Sequence, residues 1–137
     1  MIRIRIAGAG RLGERLRRIE SDLHDAVAKA VEESAEALGD TARQLVGRSS
    51  VAGPSAPGEP PRKRTGRLQD SIAAEVGPSG LSARVGTDLV YGAHLEFGTR
   101  DMAARPWLLP AFADLRPRIK ARIARAVRDA LRESARR

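Results

Sequence analysis

From Arg11 to about Val46 the apolar residues recur at steps of three and four: Leu12, Leu16, Ile19, Leu23, Val27, Val31, Ala35, Leu38, Ala42 and Leu45. That spacing puts them on one face of an α-helix and leaves a highly charged opposite face. A helix over this stretch is much longer than the average of about 11–12 residues. It therefore reads as a scaffold or as part of an interface between subunits. The repeat holds no clean heptad throughout, so the stripe reads as core-facing rather than as a coiled-coil seam. Gly39 is its weak point, where a bend is expected.

Shorter patterns flank this helix. Ile2, Ile4 and Ile6 alternate with Arg3 and Arg5, which predicts a short strand with one buried face, followed by a turn at Gly8 and Gly10. Residues 49–66 hold four prolines and three glycines, so they predict a flexible loop, made basic by Arg62, Lys63 and Arg64. Residues 65–72 read as a short helical entry. Ala74 and Val76, then Leu81, Ala83 and Val85 across a GPSG turn, predict antiparallel strands. Tyr91, Ala93, Leu95 and Phe97 continue the period of two and predict a further strand. With the first strand they give a sheet of about four. Pro106 and Pro110 suit an extended segment and then a helix start. Phe112, Leu115, Ile119, Ile123, Val127 and Leu131 mark a C-terminal helix, with Pro117 as a kink or a reset start. The expected fold is α+β: a small, mainly antiparallel sheet packed with a long N-terminal helix and a C-terminal helix.

The chain has 137 residues, the size of one domain over 1–137. Its core must come from Leu, Ile, Val and Ala, because the aromatics are only Tyr91, Phe97, Trp107 and Phe112. With no cysteine, disulfides and Cys-ligated metals are excluded. Arg or Lys interrupts every apolar run, so no membrane-spanning helix is expected. The first residues lack the apolar region of a secretory signal, which predicts a cytoplasmic product.

The formal charge is +8, from 25 basic and 17 acidic residues. Residues 115–137 carry nine Arg/Lys and two Asp/Glu, a net +7, and residues 48–67 carry five basic residues and one acid. Such patches attract nucleic acid or another acidic surface without reading sequence. Arg62, Lys63, Arg64 and Arg67 form one candidate patch; Arg118 and Arg122 belong to the other. No zinc finger, aromatic stacking set or helix-turn-helix accompanies them.

Enzymatic readings are thin. His24 and His94 are the two histidines, and no metal-ligand spacing surrounds them. On a strand, His94 and Glu96 would share a face, where a proton-moving pair or a polar sheet face both fit. Asp70 and Ser71 make a triad with either histidine only by composition. The glycines of GAGRLG at 8–13 lack the dinucleotide spacing and read as a turn. No cofactor is expected.

Several motifs occur in one order. Thr65, Gly66, Leu68, Ser71 and Ile72 form a TG-x-L-x-x-S-I segment. Tyr91 is followed by the Glu96-Phe97-Gly98-Thr99 turn. Pro106, Trp107, Leu108, Pro110 and Ala111 come next. This arrangement resembles the HK97 gp10-like family of tailed-phage neck and tail-completion proteins over nearly the full chain, most strongly over 57–115. Trp107 stands where the family more often has Phe.

The resemblance implies a structural virion protein of the head–tail junction, not an enzyme. Its single domain would complete the tail and join it to a DNA-filled head, as a homo-oligomeric ring, often sixfold. Implied partners are connector or head-closure proteins and tail-terminator or tail-tube proteins, with nonspecific contact to passing DNA and none to membrane. The implied location is the virion, and the host cytoplasm during assembly. Tyr91, Phe97, Gly98, Thr99, Pro106, Trp107 and Pro110 would be the core and turn motif. Leu95 and Phe97 would anchor a strand while Glu96 faces a basic group of the same or a neighbouring subunit. The alternatives are a basic, nonspecific DNA-binding accessory protein and a small hydrolase using His94 and Glu96.

Overall fold

The computed structural model describes residues 8–48 and 53–136; the strand expected at 2–6 lies outside them. The long stripe forms one helix, α1 (Ala9–Gly47). It runs through Gly39, which is buried. A second long helix, α4 (Leu108–Arg136), closes the chain. It continues through Pro117, whose position is exposed.

The two long helices run antiparallel. Ser134 Oγ approaches Asp22 Oδ2 at 3.4 Å near one end. In the middle, Arg122 reaches Ser34 Oγ at 3.2 Å and Glu33 Oε2 at 3.8 Å. At the other end Ala42 and Val46 share a core cluster with Trp107 and Ala111. Small residues let the backbones approach along this seam: Ala30, Ser34, Ala35 and Ala42 are all buried. Ser34 Oγ is satisfied by Ala30 O at 2.6 Å, as a buried hydroxyl requires.

Short elements gather at the end where α1 finishes and α4 begins. Helix α2 (Arg67–Ser71) starts after Gly66, whose φ of 83° favours glycine. Its Leu68, together with Ile72 just beyond it, completes the cluster. Polar bonds fix it to α1: Arg43 donates to Ile72 O at 2.6 Å, and Gln69 Nε2 donates to Arg43 O at 3.0 Å. Strands β1 (Ala73–Val76) and β2 (Ala83–Gly86) form an antiparallel hairpin, with Ala74 opposite Val85. Gly80 in its turn has φ 73°, and a Cβ there would lie 2.9 Å from Ala28 Cβ of α1. Close approach and turn conformation both select glycine.

One predicted strand is corrected. Val90–Phe97 is a helix, α3, so the described sheet has two strands, not about four. A short apolar run does not separate the two periods. The positions turned inward are Gly92, Leu95 and Glu96, spaced three and four apart as a helix requires. The strand reading turned Leu95 and Phe97 inward by alternation and so left Glu96 on the opposite face. The architecture remains α+β.

Candidate functional site

The motif residues meet where α3 leads into α4, and Glu96 organises the junction. A helix begins with backbone N–H groups that lack intrahelical partners, at the positive end of the helix dipole. Glu96 supplies the acceptors. Its Oε2 takes bonds from Trp107 N at 2.8 Å and Leu108 N at 2.9 Å, and its Oε1 from Leu109 N at 2.8 Å. The next residue, Pro110, has no N–H to satisfy, which suits the first turn. Glu96 is only 7% exposed, and these three bonds meet the requirement that a buried charge be hydrogen-bonded. It is therefore a cap from another helix. It does not lie on a surface facing a basic group, as the strand reading had placed it.

The remaining motif residues hold this cap in place. Trp107 is buried, and its Nε1 donates to Gly92 O at 3.0 Å. Gly92 is needed for close approach: a Cβ there would collide with Thr87 Cγ2 and lie 3.1 Å from Leu68 Cδ1. Thr87 Oγ1 lies 2.6 Å from Ser71 Oγ and accepts from Leu89 N at 3.1 Å. The TG-x-L-x-x-S-I segment is thereby bonded to the entry of α3.

Gly98 ends α3 with φ 75°, and a Cβ there would lie 2.9 Å from both Ala104 N and Met102 O. Thr99 and Met102 then pair as a tight bridge, with Thr99 N donating to Met102 O at 2.8 Å. Thr99 Oγ1 accepts from Asp101 N at 3.3 Å. Arg105 N returns to Leu95 O at 2.6 Å. The Pro-rich segment lies against this return: Gly58 N donates to Ala104 O at 2.8 Å, and Arg105 Nε to Ser55 O at 3.0 Å.

The sequence-predicted sites separate into different environments. Lys63, Arg64 and Arg67 are exposed, with Arg62 half-buried beside them. Arg118 is exposed on α4, whereas Arg122 is engaged by Ser34 and Glu33. His94 is exposed and Glu96 buried, so they do not form the shared-face pair considered for catalysis. His24 lies 3.6 Å from Asp25 on the surface. Among the described residues no cluster of His, Cys, Asp or Glu could hold a metal ion. No helix among them is long and apolar enough to cross a membrane.

Sequence reasoning missed an apolar surface. Phe97, expected in the core, is 75% exposed, and Val90 is 71% exposed on the same helix. With Ala93 they follow a three- and four-residue spacing along the outer face of α3. Leu109 and Phe112, in the first turns of α4, add two more exposed apolar side chains. The signal was present in the sequence, but only a helical period across 90–97 separates these residues from the buried ones.

A family model described as "Bacteriophage HK97-gp10, putative tail-component" matches residues 10–98, well over half of the chain. No curated protein and no solved structure matches it. The chain belongs to the HK97-gp10-like family of bacteriophage tail components.

Proposed function

We propose that this member of the HK97-gp10-like family is a non-enzymatic structural protein of the phage neck. It completes the tail and joins it to the DNA-filled head, as a ring of identical subunits with sixfold symmetry. The observation that carries the reading is the family match across α1, the hairpin and α3.

The shape of the subunit supports an assembled state. Helix α1 alone, 39 residues long, spans roughly 58 Å at 1.5 Å per residue. Ring closure requires a heterologous contact, in which one patch meets a different patch on the next copy. The outer face of α3 with Leu109 and Phe112 is one candidate patch, and the exposed start of α1 is another. Arg118, exposed on α4, is a candidate to face the lumen, where it would attract passing DNA without reading its sequence. The other contacts of the ring are connector or head-closure proteins on one side and tail-terminator or tail-tube proteins on the other. Its place is the head–tail junction of the virion, reached after assembly in the host cytoplasm.

Native mass spectrometry of nuclease-treated protein across a salt series tests this. The expected result is a discrete homo-oligomer free of nucleic acid. A salt-sensitive protein–DNA species with no defined homo-oligomer would overturn it in favour of a nonspecific DNA-binding accessory protein, the reading that the +8 charge favours.

A further inference from the structure

A groove of about 1430 Å³ opens between the C-terminal end of α1, the 53–67 segment and α3. It exceeds the ~300–1000 Å³ of a small-molecule pocket. Its floor is apolar: Val46 and Leu68 belong to the core cluster, and Tyr91, Leu95 and Met102 extend it. Its walls carry Arg62, Lys63, Arg64, Arg67 and Arg105, and no Asp or Glu lines it. Lys63, Arg64 and Arg67 have no carboxylate partner among the described residues. Ser55, also in the wall, is 5% exposed, and its Oγ makes no hydrogen bond. A buried hydroxyl normally has a partner, so this one is available to a bound chain.

We infer that this groove docks an extended segment of a partner protein in which carboxylates flank an apolar anchor. The inference does not depend on the neck reading. Asp70, beside Lys63 at Gly66, offsets part of the walls' charge, and the excess at Arg64, Arg67 and Arg105 selects an anionic ligand. The apolar floor selects a protein segment over a nucleic-acid backbone, because the energy of such a contact concentrates in a buried anchor ringed by polar groups. A phosphate backbone brings charge but no apolar side chain. A second copy of this chain is the poorer fit for a different reason. Where its exposed acids adjoin exposed apolar side chains, as at Leu12, Glu14 and Leu16 or at Phe112 and Asp114, they lie on α1 and α4 and not on an extended segment. Along an extended segment, alternate side chains point to opposite sides. Some can enter the floor while their neighbours meet Arg64 and Arg67, and the segment's backbone can bond Ser55 Oγ.

The test uses the full chain and a short fluorescein-labelled peptide of alternating Glu and Leu, with anisotropy read near physiological salt. Saturable binding of one peptide per chain is expected. A Glu/Ser peptide and the double variant Arg64→Glu/Arg67→Glu should each weaken binding on the order of tenfold. The control Arg128→Glu/Arg132→Glu makes the same charge change on exposed positions of α4 and should leave binding within about twofold. Tyr91→Ser tests the floor independently of charge and should also weaken it, with folding of each variant checked by far-UV circular dichroism. Absence of saturable binding, or equal loss with both double variants, would overturn the proposal. So would a DNA duplex that binds more tightly than the peptide and depends on Arg64 and Arg67, which would assign the groove to nucleic acid. Loss of self-association in the Arg64→Glu/Arg67→Glu variant, with no peptide bound, would assign it to a second copy.

Discussion

The two ends of the α1–α4 pair are built from the same amphipathic pattern and finish in opposite states. Where α1 ends and α4 begins, Ala42, Val46, Leu68, Ile72, Trp107 and Ala111 close into the core cluster, and Glu96 covers the first amides of α4. At the other end α4 finishes close to Asp22, since Ser134 already reaches it. The earlier turns of α1 therefore extend past their partner. Leu12 and Leu16 continue the stripe of α1 there, yet each is more than half exposed. Helical period alone does not decide burial. The closed end is closed because α2, the hairpin and α3 bring side chains of the right shape to it, and the family motifs lie in α2, in α3 and its exit, and at the start of α4.

The closed end is therefore where a single substitution costs most. Trp107→Ala removes a buried indole and the Nε1 bond to Gly92 O, and should cost about 3–5 kcal/mol in urea unfolding followed by far-UV circular dichroism. Trp107→Phe keeps most of the packing but leaves the Gly92 carbonyl without its donor, so about 1–2 kcal/mol is expected. A Trp107→Ala protein as stable as the parent would show that this cluster is not the fold's main support. Glu96→Ala comes next. It leaves the amides of Trp107, Leu108 and Leu109 without an acceptor and should cost about 2–4 kcal/mol. Glu96→Gln should recover part of this, because its amide oxygen still accepts. A surface carboxylate would show neither the loss nor the partial recovery.

The long elements were legible in the sequence because each repeats its signal many times. Nine successive steps from Leu12 to Leu45 agree on one helical face, and the stripe from Phe112 to Leu131 does the same. The hairpin was legible from a GPSG turn between alternating residues. Val90–Phe97 was not, because eight residues hold too few periods to separate a strand from a helix. Glu96 compounded the error. Charge predicts exposure wherever water is the best available partner, but three unpaired amides at the start of α4 are a better one. That partner lies more than ten residues away in sequence, and nothing local to Glu96 reveals it. The motif Glu-Phe-Gly-Thr followed by Pro-Trp-Leu-x-Pro could be recognised as a resemblance, while the reason those residues stand together emerged only from the folded geometry.

The junction between α2 and α3 allows a finer test of how tightly the closed end is packed. Gly92→Ala places a methyl group against Thr87 Cγ2 and Leu68 Cδ1, and overpacking of this kind should cost about 1–3 kcal/mol. Thr87→Ser removes the colliding methyl but keeps the hydroxyl that meets Ser71 and Leu89 N. In the double variant the two changes should compensate, with a coupling of at least about 0.5 kcal/mol in a double-mutant cycle. Simple additivity would mean that the backbone moves aside and that Gly92 is not required by its neighbours.

The smallest effect on the isolated fold is expected at the open end, and there the readout must change. Leu12→Gln and Leu16→Gln alter side chains that no element among the described residues covers, so each should shift unfolding by no more than about 0.5 kcal/mol. In an assembled ring the same positions have a use: an apolar stripe that outruns its partner within the chain is available to a neighbouring copy. The double substitution should therefore leave the urea midpoint nearly unchanged while shifting native mass spectra toward the monomer. If stability falls by as much as at Trp107, the stripe is covered within the chain and the contrast between the two ends disappears. If neither stability nor oligomeric state changes, the overhang is not a subunit contact, and the outer face of α3, with Val90 and Phe97, becomes the surface to substitute next.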